Sequence, residues 1–191
     1  MDSPFVSRAG QKLDAALAAF GVDVGQKVCA DFGCNVGGFT DCLLKRGAAK
    51  VYALDTGYGE LAWTLRKDPR VAVMERTNAL YCEVAEPVDL VTIDVAWTPQ
   101  ERVIPAALRW LKPAPAGAFI ISLLKPHYEL AKIRHRKPVG VLDPRQSDQI
   151  CLDVSARLEQ ACPCQVRAVM RSVLRGKGGN IEYLLLIAPQ P

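Results

Sequence analysis

The chain has 191 residues, 50% of them hydrophobic, and a net charge of +4; it holds enough apolar material for one domain with a full core, and it permits a polyanionic partner without demanding one. It contains no run of about 18 apolar residues, which excludes a membrane-spanning helix, and Met1-Asp2-Ser3-Pro4 lacks the basic and apolar regions of a signal peptide. Seven cysteines are scattered without a Cys-x-x-Cys pair and far from His127 and His135, which speaks against a disulfide framework and against zinc, and for the reducing cytoplasm.

Taken in chain order, Ser7 is placed to cap a helix whose Leu13, Leu17 and Phe20 form an apolar stripe, ended near Gly21. Strand and helix patterns then alternate, with strands at about 27–32, 50–55, 71–74, 88–94 and 117–124 and helices at about 37–47, 59–67 and 99–111. Val88 to Ile93 and Ala118 to Leu124 are nearly continuous apolar runs, as strands covered on both faces are. This alternation predicts an α/β protein with a mostly parallel sheet, right-handed crossovers and helices on both faces. A basic, proline-bounded segment from Lys132 to Pro138 leads to a helix at 144–160. Two strand-like runs at about 165–174 and 181–188, joined by Gly176-Lys177-Gly178-Gly179, read as an antiparallel hairpin appended to the sheet. Residues 1–191 read as a single domain, without internal repeats.

The stretch from Asp31 to Thr40 (Asp-Phe-Gly-Cys-Asn-Val-Gly-Gly-Phe-Thr) carries the first chemical signal. A strand, a tight glycine turn and a helix start present backbone N–H groups to a nucleotide-like ligand. The spacing is not Gly-x-Gly-x-x-Gly, and it lacks the Lys-Ser/Thr of a phosphate loop. Asp31, Asp55, Asp94 and Lys125 close four of the expected strands, which should gather them around one crevice. Asp55 stands where dinucleotide-type folds place an acid on the ribose hydroxyls. NAD, S-adenosylmethionine or another adenosine ligand would suit it equally. Asp31, two residues before Gly33, favours S-adenosylmethionine, because an acid would repel a pyrophosphate but suits a cationic amino-acid end.

Val6-Ser7-Arg8-Ala9-Gly10-Gln11-Lys12-Leu13 resembles the opening of the FtsJ-like ribose methyltransferases, in particular the TlyA-type haemolysin and ribosomal RNA methyltransferase branch. Further blocks continue the resemblance in the family's order: Gly37 to Asp41, Val51 to Gly59, Glu75 to Asn78, Asp89 to Val95, Leu124-Lys125-Pro126 and Gly179 to Leu185. The resemblance runs from about residue 5 to 188. It implies a Rossmann-like S-adenosylmethionine-dependent fold that methylates the 2′-hydroxyl of a ribose, with ribosomal RNA or a ribosomal subunit as partner. The family's Lys-Asp-Lys-Glu tetrad falls on Lys12, Asp94, Lys125 and Glu182, so the helical segment within residues 1–25 contributes to the active site. The cofactor-binding positions fall on Asp31, Gly33, Cys34, Asn35, Gly37, Gly38, Phe39, Asp55, Asn78 and Asp94; no metal is implied. Structural alternatives stand beside each tetrad position: Lys12 snorkelling from its helix, Asp94 capping the next one, Lys125 as a solvated strand end, Glu182 facing water on an edge strand.

The chain departs from the branch in four respects. The 191 residues do not include the RNA-binding module usually found ahead of the methyltransferase domain. Ala96-Trp97-Thr98-Pro99 replaces Ser-Phe-Ile-Ser after Asp94, and His127-Tyr128 replaces Gln-Phe after Lys125-Pro126. Phe32, Cys34, Asn35 and Val36 stand where Ile, Ala, Ser and Thr are common. These changes bear on the substrate more than on the chemistry.

Within the resemblance, Lys125 is the base for the ribose hydroxyl, oriented by Asp94, while Lys12 and Glu182 fix the ribose. A free lysine titrates at ~10.4 and needs lowering by about three units, roughly 4–5 kcal/mol, to act at neutral pH. A second cation at ~4 Å supplies about 4 kcal/mol at an effective dielectric of ~20, but the two carboxylates push the other way. For RNA, Lys132, Arg134, Arg136 and Lys137 form one basic cluster and Arg167, Arg171, Arg175 and Lys177 another. Trp97 and Tyr128 flank two tetrad positions and could stack on a base. A small-molecule methyltransferase on the same fold, or a non-catalytic RNA- or S-adenosylmethionine-binding protein, are the alternatives at this point.

Overall fold

A computed structural model describes residues 3–113, 117–134 and 140–190, including all of their side chains except those of 132–134. In chain order the elements are α1 (Ala9–Phe20), β1 (Val28–Phe32), α2 (Gly38–Lys45), β2 (Lys50–Leu54), α3 (Trp63–Arg66), β3 (Val71–Met74), β4 (Leu90–Ile93), α4 (Gln100–Leu108), β5 (Phe119–Leu124), α5 (Pro126–Arg134), α6 (Pro144–Ala161), β6 (Cys164–Arg171) and β7 (Tyr183–Pro189).

The strands form one sheet in the order β3-β2-β1-β4-β5-β7-β6. β1 to β5 pair in parallel, and β7 is antiparallel to both β5 and β6. The expected hairpin is appended to the parallel sheet at β5, and the structure adds its order: the last strand, β7, lies beside β5 and β6 takes the edge. Burial explains the order. Tyr183 to Ala188 are buried without interruption, as a central strand requires, whereas β6 alternates buried or half-buried residues with exposed Gln165, Arg167, Val169 and Arg171.

Successive strand residues point to opposite apolar layers. Phe32, Tyr52 and Leu54 pack with Ile104, Val154 and Leu158 of α4 and α6, while Cys29, Val51 and Ala53 pack with Leu13, Leu17 and Leu43 of α1 and α2. Helices therefore cover both faces. Trp110, beyond the end of α4, anchors the first layer edge-on to Phe32 and Tyr52, each at 5.7 Å between ring centroids.

Helix ends follow local chemistry, with exceptions. Gly21 closes α1 in the left-handed region (φ 64), and the Val22 N–H donates to the Leu17 carbonyl at 3.0 Å. Ser7 does not cap α1 with its hydroxyl; its carbonyl accepts from the Gly10 N–H at 3.1 Å instead. At α6 the Asp143 carboxylate caps fully, accepting from the N–H groups of Arg145 (2.8 Å) and Gln146 (3.3 Å) ahead of Pro144 at the first position. The helix expected over 59–67 contracts to α3, because Gly59 is left-handed and Ala62 extended. α5 was not expected. It lacks an apolar stripe, burying Glu129 alongside Leu130, and it starts at Pro126 with the Lys125 carbonyl accepting from Tyr128 at 2.9 Å. No helix among the described residues is long and apolar enough to cross a membrane.

Candidate active site

Parallel strands end at one edge, so the residues after them meet there. Asp55 follows β2, Asp94 follows β4 and Lys125 follows β5. Glu182 arrives at the same edge by running the other way. β7 is antiparallel and Tyr183 pairs with Leu124, so the residue before β7 stands beside the residue after β5. Lys12 comes from the buried side of α1.

Lys12, Asp94, Lys125 and Glu182 line one recess of about 440 Å³ and form two ion pairs. Lys12 Nζ donates to Glu182 Oε2, with the two side chains only 7% and 5% exposed. Lys125 Nζ meets Asp94 Oδ1 at 2.5 Å and donates to the Val95 carbonyl at 3.2 Å. Lys12 therefore does not snorkel, Glu182 does not face water, and Lys125 is not a solvated strand end. Each charge of the buried pair requires the other, since an uncompensated buried ion is strongly destabilising.

Gly33, Cys34, Asn35, Gly38 and Phe39 line the same recess. It adjoins a second recess of about 340 Å³ that shares Gly33, Asn35 and Asp94 and adds Asp55 and Asn78. Gly37 lies buried behind this wall, at the start of α2. Gly33 is the joint between the two. Its φ is 81, its N–H donates to the Leu54 carbonyl at 2.8 Å, and a Cβ would sit 2.8 Å from the Asp94 carbonyl oxygen. The Asp55 carboxylate is held by the N–H groups of Asn35 (2.8 Å) and Gly57 (2.7 Å). A carboxylate has about four acceptor sites, so each oxygen keeps capacity for a diol.

Asp31 is placed differently from expectation. It is the fourth residue of β1 instead of closing the strand, it is fully buried, and it lines neither recess. Its oxygens accept from the hydroxyls of Thr40 (2.7 Å) and Thr92 (2.9 Å). Burial pushes its carboxyl up to about 7 although both hydroxyls favour the charged form. Asp31 thus supports the glycine turn from beneath.

The structure adds residues that the sequence did not single out. Arg8, whose guanidinium donates to the Arg175 carbonyl at 3.2 Å, lines the recess, and so does His127. Arg8 lies inside a matching block, whereas His127 stands where the chain departs from the branch, so its place at the site comes from the structure. Trp97 and Tyr128 pack at 4.5 Å between centroids with their planes tilted by 39°, and His127 packs on Tyr128 at 4.1 Å, so three rings adjoin one another beside Lys125. Of the second basic cluster, Lys177 lines the recess, Arg171 is paired with Asp148, Arg175 donates to the Gly179 carbonyl at 2.9 Å, and Arg167 lies exposed on β6. His135, Arg136 and Lys137 lie outside the described residues, as do the side chains of Lys132 and Arg134.

A glycine turn after β1, an acid after β2 and a recess at the carboxyl edge of a sheet with one inserted antiparallel strand define a Rossmann-like methyltransferase. The model of the FtsJ-like methyltransferase family matches residues 5–188, and the chain belongs to that family. It is 43% identical over 190 residues to the 16S/23S rRNA (cytidine-2′-O)-methyltransferase TlyA of Mycobacterium tuberculosis, covering 97% of this chain and 69% of that one. It is 38% identical over 186 residues to YqxC of Bacillus subtilis, a candidate rRNA methyltransferase, covering 95% of this chain and 64% of that one. Among solved structures, a candidate hemolysin from Streptococcus thermophilus superposes with a TM-score of 0.89 at 30% identity, covering 100% of this chain and 69% of that one.

The residues present fit S-adenosylmethionine. Asp55 suits the ribose diol, the Gly33–Asn35 backbone allows close approach, and Asp94, on the wall that the two recesses share, offers a carboxylate suited to a cation.

Proposed function

We propose that the protein transfers the methyl group of S-adenosylmethionine to a ribose 2′-hydroxyl of ribosomal RNA, in the cytoplasm, at a cytidine as in the relative from Mycobacterium tuberculosis. The observation that carries this reading is the set of two ion pairs, Lys12–Glu182 and Lys125–Asp94, lining a recess that adjoins the cofactor recess at Gly33 and Asp94. The four charges around the first recess speak against a small-molecule methyltransferase on the same fold.

When bound, the cofactor supplies an electrophilic methyl group on a sulfonium, so positioning accounts for much of the acceleration. The chain's residues do the rest. Asp55 and the turn at Gly33–Asn35 fix the adenosine. The Lys12–Glu182 pair, rigid because both charges are buried, holds the ribose. Lys125, oriented by Asp94 and the Val95 carbonyl, takes the hydroxyl proton as the new C–O bond forms, which requires it to enter the step as the neutral amine. Arg8 and Lys177 at the mouth meet phosphate.

The test is tritium transfer from labelled S-adenosylmethionine to ribosomal RNA and to ribosomal subunits, with Lys125→Ala in parallel and alkaline digestion of the product. A 2′-O-methyl group protects one linkage, so label is expected in a resistant dinucleotide, lost in the variant and falling steeply with salt. Label in mononucleotides, or transfer indifferent to salt, would refute ribose methylation of RNA.

A further inference from the structure

On the reading just given, the geometry points to His127 as a further residue that touches the substrate: a neutral hydrogen-bond donor, through its Nε2–H, to an oxygen of the target nucleotide. His127 is the second residue of α5, two residues after Lys125, and it lines the recess with both ion pairs. Its ring is fixed by packing on Tyr128, which in turn packs on Trp97.

Its Nδ1 is buried and has no hydrogen-bond partner among the described residues. That decides the protonation state. An imidazolium donates from both nitrogens, so protonation would bury an unpaired N–H, and so would the neutral tautomer that carries its proton on Nδ1. A bare acceptor is the less costly orphan, which leaves the single proton on Nε2. Burial acts in the same sense and is the largest effect, pushing His127 below its ordinary value, while Glu182 opposes it in part and Lys125 adds to it. The ring is therefore a donor at neutral pH and not the acceptor of the hydroxyl proton.

Such a donor adds a contact of a kind the lysines do not supply, because Lys12 already donates to Glu182, and Lys125 pairs with Asp94 and donates to the Val95 carbonyl. An uncharged N–H can orient a nucleotide oxygen without disturbing that balance of charge.

Two measurements test the assignment. His127 and His135 are the only histidines, so a His135→Asn protein reports His127 alone in long-range 1H–15N spectra. The expected result is the Nε2–H tautomer, neutral at pH 7, with a resonance that shifts on adding a cytidine-containing fragment of ribosomal RNA. An Nδ1–H tautomer, an imidazolium at pH 7, or no shift would overturn the proposal. In methyl transfer, His127→Leu should lower kcat/KM for RNA roughly ten-fold with cofactor Kd unchanged, while His127→Gln restores it with the pH profile of the wild type. Equal loss in both variants together with a vanished acid limb would make His127 a proton acceptor instead; an undiminished His127→Leu would remove it from the site. A wild type that binds the RNA fragment with the expected shift but transfers no methyl group would refute the proposed reaction and leave the His127 contact standing.

Discussion

Replacing Glu182 by glutamine keeps the shape of the side chain and removes the charge that faces Lys12. With the two side chains 7% and 5% exposed, water cannot replace the lost partner. Breaking a buried pair in this way costs about 3–5 kcal/mol. For a domain of about 150–250 residues each kcal/mol lowers Tm by roughly 2–4 °C, so a fall of about 6–20 °C is expected for Glu182→Gln. Lys12→Met should cost a similar amount, because it strands the carboxylate. The double variant Lys12→Met/Glu182→Leu leaves neither charge uncompensated and should recover at least ~2 kcal/mol relative to the sum of the singles. Urea denaturation followed by circular dichroism measures all four corners of the cycle. Additivity of the two single losses within ~0.5 kcal/mol, or single losses below ~1 kcal/mol, would show that the pair behaves as a solvated one and that its burial has been misread. The double variant also separates folding from chemistry, since it should be folded and inactive in methyl transfer.

Two further outcomes follow from buried groups elsewhere. Burial raises the Asp31 carboxyl to about 7, whereas the unfolded chain releases that proton near pH ~3.9. Between those values the native state binds more protons, so its stability falls as pH rises, and Asp31→Asn should lack that fall. Between about pH 5 and 8 the variant should gain roughly 2–3 kcal/mol relative to the wild type in urea titrations, and a pH-independent difference would refute the assignment. Among the cysteines, burial lifts the thiols of Cys29 and Cys42 to about 12, and Cys82 alone is not buried. A thiol-disulfide reagent at neutral pH should therefore label Cys82 in the native protein and the other six only on unfolding, and rapid native labelling of several thiols would contradict that packing.

What the sequence alone determined is what local geometry determines. Apolar runs and period-3.6 patterns marked β1 to β5, α1 and α2; the glycine turn from Gly33 to Gly38 announced a ligand; the helix read at 144–160 is α6. The matching blocks around Lys12, Asp94, Lys125 and Glu182 named the charged residues that the fold then gathers in one recess. Tertiary structure decided the remainder. That β7 lies between β5 and β6 follows from which strand is apolar on both faces once a sheet exists to bury it, and only that reversal brings Glu182 to Lys12 across 170 residues of chain. Whether Asp31 faces a ligand or the threonines beneath the turn depends on which way β1 presents it to β4 and α2. The orphaned Nδ1 of His127 is likewise a property of what surrounds the ring, and α5, without an apolar stripe, forms because the Lys125 carbonyl and Pro126 start it over a buried Glu129. Spacing along a chain sets which side chains share a face, but pairing, desolvation and the orphaning of polar atoms are set by neighbours distant in sequence, and those exist only once the chain has closed.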